Sequence, residues 1–195
     1  MSMFPKITLA WVALTGLALA DTPKAPAKAD ASKPDPVMMK PEAPKPPAEI
    51  DAMAKNIVGN WKCTGTSTGP DGSSSKMTGK ITAKVDLDKW WISDVFEGKG
   101  DRGAFKMVAY STFDAGSKKW RRVSIDNMGH QYVGTSDGMK DGKLVWNLDF
   151  MGAMGAGQFR DSLDPTDPKA VKFSGTMSVD KGKSWKPVYE MTCKK

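Results

Sequence analysis

The sequence predicts an all-β protein, a closed up-and-down antiparallel β-barrel of about ten strands preceded by a short N-terminal helix. Three observations carry this prediction. From position 61 onward apolar and polar residues alternate in runs of strand length. Turn-forming clusters punctuate those runs at Gly69-Pro70-Asp71-Gly72, Asp114-Ala115-Gly116, Asp141-Gly142, Asp164-Pro165 and Asp180-Lys181-Gly182. The two cysteines, Cys63 and Cys193, fall in the first and last of the strand-like segments.

Residues 1–20 read as a signal peptide. Lys6 supplies the charge of a short n-region, residues 7–19 are apolar, and Ala18-Leu19-Ala20 fits a peptidase site, with cleavage expected after Ala20. The apolar run is short for a membrane span, and no cysteine follows it for lipid anchoring. The expectation is a soluble protein that is periplasmic or secreted, with no membrane span. Residues 21–50 form a Pro/Lys/Ala-rich, disordered spacer. Its composition cannot bury a core and favours extended, polyproline-like conformations.

The barrel domain is expected over 51–195. A short helix over 49–58 leads into it, because Ile50, Met53, Ala54 and Ile57 recur three or four apart and Gly59 follows. Strands are expected near 61–68, 75–85, 90–98, 104–113, 143–151, 158–163, 171–179 and 185–194. Two further strands fold back on each other within 119–135. In that hairpin Trp120, Arg122, Ser124, Asp126 and Met128 share one side, and Arg121, Val123, Ile125 and Asn127 share the other. If the Trp120 side faces inward, buried polar groups there require partners, and such positions are where a ligand site is sought. No helical pattern separates the strands, which excludes parallel βαβ units.

A meander leaves two open edges, and closure removes them. An oxidising compartment lets Cys63 and Cys193 pair, and a bond between them fits neighbouring first and last strands. It would close a loop of about 130 residues, stabilising by up to ~5 kcal/mol in the chain-entropy account.

The formal charge is +7, of which Lys6 contributes one. Residues 21–50 balance five lysines against five acids, so +6 belongs to the barrel. Strand alternation scatters these charges over a solvated basic surface, with contact to anionic envelope polymers as the alternative, and nucleic acid is not expected as a partner outside the cytoplasm.

Gly59-Asn60-Trp61, Trp90-Trp91, Ser124-Ile125-Asp126-Asn127-Met128-Gly129-His130, Gly182-Lys183-Ser184-Trp185 and Tyr189-Glu190-Met191-Thr192-Cys193 together resemble a known bacterial family. It is the domain-of-unknown-function family fifteen seventy-nine, and the resemblance covers roughly 57–195. It implies a lipocalin-like barrel with no established activity, and no catalytic residues carry over. It does not speak for the cysteine pair.

Several constellations invite chemistry. Gly98-Lys99-Gly100-Asp101-Arg102-Gly103 spells a dinucleotide loop, but a strand follows where that loop needs a helix, so a flexible hairpin tip is expected. His130 is the only histidine; it could serve haem, but a solvated turn residue is expected beside Gly129. Zinc lacks enough ligands, and Met151 and Met154 without a nearby histidine make a poor Cu(I) site; no metal and no cofactor are expected. Asp126, Arg160 and Asp161 are expected to point inward, where an Asp126–Arg160 pair would be structural or catalytic.

The leading expectation is a non-enzymatic exported barrel that binds a small, partly apolar ligand or an envelope component. Trp90, Trp120, Asp126, Trp146 and Arg160 are its candidate ligand-binding residues. A hydrolase or isomerase using Asp126 and Arg160, or a structural envelope module, are the alternatives.

Overall fold

In the computed structural model, residues 43–195 apart from 102, 154 and 168 are described. The expected leader, its cleavage site and most of the expected spacer lie outside these residues. The order is α1 (Ala48–Ile57), β1 (Gly59–Thr68), β2 (Ser74–Asp86), β3 (Trp91–Gly100), β4 (Gly103–Asp114), β5 (Lys119–Asp126), β6 (Gln131–Ser136), β7 (Met139–Lys140), β8 (Lys143–Gly152), β9 (Gly155–Asp167), β10 (Ala170–Ser178) and β11 (Lys186–Lys194).

Every long strand pairs antiparallel with its sequence neighbour. β1 pairs with β11, and β6 pairs with β8 past the two-residue β7, which closes a ten-strand ring. Cys63 lies opposite Cys193 in the β1–β11 ladder, and their sulfurs are bonded. The disulfide therefore staples the seam where the meander returns to its start.

The helix is amphipathic. Ile50 and Met53 are buried against the barrel, Glu49 and Asp51 sit in its first turn and Lys55 in its last, each of a sign that suits the helix dipole. It caps one end of the barrel, where the Trp61 indole donates to the Ile57 carbonyl at 3.0 Å. The opposite end carries the β3–β4, β5–β6 and β8–β9 turns. Among the described residues no helix is long and apolar enough to cross a membrane.

Alternation sets the interior. Trp61, Cys63, Ile81, Ile92, Phe96, Trp120, Leu144, Trp146, Leu148 and Cys193 form the buried core. On β5, Trp120, Arg122 and Ser124 are buried, while Val123 and Ile125 face outward. Met128 departs from the expected face: it lies in the turn beyond β5 and is exposed. Trp90 does not begin the third strand. Leu87, Asp88 and Lys89 all take positive φ, and Trp90 closes that turn by donating its amide to the Leu87 carbonyl. The glycine-rich Gly98–Gly103 stretch is a hairpin tip, with Gly100 opposite Gly103 and strand on both sides.

Candidate functional site

Three places in the barrel hold polar chemistry. The first is the middle of the interior. Arg122 on β5 holds Asp94 on β3 with both guanidinium nitrogens, at 2.8 and 2.9 Å, and also donates to the Ser111 hydroxyl. The Arg122 guanidinium lies 5.4 Å from the Trp146 ring centroid. Asp161 on β9 accepts a 2.5 Å hydrogen bond from the Tyr189 hydroxyl. Burial pushes the Asp161 carboxyl above the usual carboxylate range, against the pull of the Arg122 charge. Burial also raises the Tyr189 phenol, and the Asp161 charge adds to that rise. The cavity beside these groups, under the last turn of α1, measures only about 50 Å³. That is room for ordered water and far below the volume of a ligand pocket. The barrel is filled by its own tryptophans and aliphatic side chains.

The second place is the far rim. Asp126 ends β5 and folds the next turn around its carboxylate, accepting from the amides of Met128 (2.9 Å) and His130 (3.0 Å) and from the Tyr132 hydroxyl (3.1 Å). His130 Nδ1 lies 3.0 Å from Oδ2 of the same carboxylate. A carboxylate oxygen accepts, so the shared proton of this contact belongs to Nδ1. Among the described residues Nε2 is buried with no partner. His130 is therefore not the solvated turn residue expected. It is only 4% exposed, because the Asp126 carboxylate draws the turn inward and Gly152 leaves room for the ring; a Cβ at Gly152 would overlap the imidazole.

The third place is outside. The β10–β11 connection is laid across the outer face of β8 and β9 and locked around Asp180. That carboxylate accepts from the Ser178 hydroxyl (2.8 Å) and from the Ser184 amide (2.9 Å) and hydroxyl (2.6 Å). The Ser184 bonds, with help from Ser178, hold Asp180 at about 2. Behind it, the Trp185 indole donates to the Gly182 carbonyl and stacks on Arg160, whose guanidinium lies 3.9 Å from the ring centroid. The wall and this rigid loop enclose a groove of about 420 Å³, lined by Asn147, Asp149, Gln158, Arg160, Lys181 and Trp185 among others.

The five residues expected to bind ligand do not converge. Trp120 and Trp146 are core side chains, Trp90 sits in the turn before β3, Asp126 is buried in the rim network, and Arg160 is exposed on the outer wall. The Asp126–Arg160 ion pair does not form. Adjacent strand residues face opposite ways, so Arg160 and Asp161 cannot both point inward: Asp161 does and Arg160 does not. The interior guanidinium is Arg122, which the β5 alternation had already placed beside Trp120. The groove residues Asn147, Gln158, Lys181 and Trp185 lie far apart in sequence and are brought together only by the folded loop. The one signal in the chain was the Gly182-Lys183-Ser184-Trp185 motif.

Solved structures show the same fold. The crystal structure of Rv2717c from M. tuberculosis superposes with a TM-score of 0.59 at 10% identity, over 77% of this chain and 99% of that one. The S-type phycobiliprotein lyase CPES from Guillardia theta gives a TM-score of 0.52 at 13% identity, over 75% of this chain and 92% of that one. No curated protein matches the chain. The lipocalin-like barrel, the opening Gly59-Asn60-Trp61, the Asp126 turn and the Trp185 loop all lie within residues 46–195, which match the profile described as protein of unknown function (DUF1579); the chain belongs to that family.

Proposed function

We propose that the protein is an exported, non-enzymatic binding barrel that takes an envelope component on its outer wall rather than a ligand in its interior. The carrying observation is the contrast in space: about 50 Å³ inside against a groove of about 420 Å³ outside. A half-buried indole, two cations and two amides line that groove, the mixture of apolar platform and orienting polar groups that binding sites use. The disulfide supports an oxidising compartment. A non-catalytic role is supported by the spending of Asp126 on its own turn and by its separation from Arg160 across the barrel wall.

The test is native mass spectrometry of the full chain after incubation with a detergent-free envelope extract. A bound component that is retained by Trp146→Phe and lost from Arg160→Gln and Trp185→Ala is expected. Recovery of apo protein alone, or of an adduct indifferent to the groove substitutions, overturns the proposal.

A further inference from the structure

The polar side chains of the groove are unspent. Of the described arginines, Arg122 grips Asp94, and Arg121 lies 3.9 Å from Asp114. Among the described residues Arg160 has only the Trp185 ring and no carboxylate. Asn147, Asp149, Gln158 and Lys181 likewise make no side-chain hydrogen bond or ion pair among the described residues. The ladder uses only their backbones. The wall that carries Lys181 and Trp185 is meanwhile tied down by Asp180. A preorganised loop therefore faces a strand pair across five polar side chains whose bonding capacity is free among the described residues, beside the Trp185 indole, whose N–H is taken by the Gly182 carbonyl.

The composition of that free set selects a ligand class. One face of the Trp185 indole carries the Arg160 guanidinium, which leaves the rest of its apolar surface for the axial hydrogens of a pyranose ring, while amides and a carboxylate serve paired hydroxyls as donors and acceptors. The two cations outnumber the single Asp149 carboxylate, which asks for a negative charge on the ligand, and a guanidinium matches a carboxylate with two parallel bonds. An apolar chain would bury these groups unpaired, at a desolvation cost for each. A bare inorganic anion would leave the amides unused and meet Asp149. A neutral sugar would leave both cations unanswered.

Resting on the reading of the groove as the binding site, we propose that it receives an acidic saccharide, a pyranose chain bearing carboxylates. The carboxylate docks on Arg160 and Lys181, a ring packs on the Trp185 side of the groove, and hydroxyls bond to Asn147, Gln158 and Asp149.

Isothermal titration of the full chain with a short oligogalacturonide, the same oligomer methyl-esterified, a muramic-acid disaccharide and citrate tests this. Binding of at least one acidic saccharide is expected, weakened about tenfold or more by Arg160→Gln or by Lys181→Gln. The ester and citrate should bind at least about tenfold more weakly than the acid. Arg160→Gln and Lys181→Gln leave the Asp180 lock intact, so their effect is separable from any unfolding of the loop by Trp185→Ala. Equal binding of the ester removes the acidic requirement, and equal binding of citrate removes the saccharide. Silence from both acidic saccharides, while the envelope adduct still depends on Arg160, overturns the ligand class and leaves the groove as the binding site.

Discussion

Arg122 and Asp94 are joined by two parallel bonds, Nη1 to Oδ2 at 2.8 Å and Nη2 to Oδ1 at 2.9 Å, with side chains only 8% and 14% exposed. Removing one partner strands a charge in the barrel. Asp94→Ala should therefore destabilise by about 3–5 kcal/mol, whereas the joint Asp94→Leu/Arg122→Met replacement should recover most of that loss. Urea unfolding of the two variants decides; equal destabilisation by both would show that shape, not charge, governs the site.

The neighbouring Asp161 makes the fold lose stability as pH rises. Its carboxyl is raised above 3.8 in the folded state by burial, so the folded chain holds this proton more tightly than the unfolded chain. The stability it contributes is complete below the unfolded value and is lost as pH rises through the folded one. Asp161→Asn, which still accepts from Tyr189, should flatten that part of the stability–pH curve. Parallel curves for the two proteins would refute the assignment.

Asp180 behaves in the opposite sense. Held at about 2 by Ser184 and Ser178, it supports the β10–β11 loop above pH 3.8 and releases it as pH falls through about 2. Amide exchange over residues 178–184 should speed up in that window, and Asp180→Ala should show the fast rate already at neutral pH. Unchanged protection in the variant would mean that the Trp185 stack alone holds the loop.

At the rim, Gly152→Ala places a methyl group where the His130 imidazole lies. A loss of about 1–3 kcal/mol is expected. His130→Ala in the same background should return part of it, although the His130 backbone also stands 2.9 Å from that position. Strictly additive losses in a double-mutant cycle would show that the ring is not the obstacle.

Reduction of the Cys63–Cys193 bond frees a loop closed over 130 residues. A fall of about 2–5 kcal/mol is expected, with the barrel spectrum retained in mild conditions because six residue pairs of the β1–β11 ladder remain. Equal denaturation midpoints with and without reductant would contradict this.

The barrel was legible because its signals are local. Alternation places Trp120, Arg122 and Ser124 on one face from sequence alone, and four of the turn clusters mark strand reversals, whereas Asp164-Pro165, expected to break a strand, lies inside β9. The seam was legible because two cysteines mark it. What escaped depends on contacts between distant segments. His130 looks like a turn residue until Asp126 and Gly152 are brought against it. Arg160 looks as inward-facing as Asp161 until strand parity is fixed to the residue. The groove has no sequence signature beyond its Trp185 loop, since β8, β9 and the β10–β11 connection meet only after folding.

The placement of the staple has a biogenetic consequence. Half of it rides on β11, the last strand of the ring to be synthesised. Any barrel fragment lacking that strand presents Cys63 as an unpaired thiol. Thiol-reactive labelling therefore separates finished barrels from interrupted ones, and oxidoreductases that patrol for lone thiols have a chemical handle on every molecule whose ring was never completed.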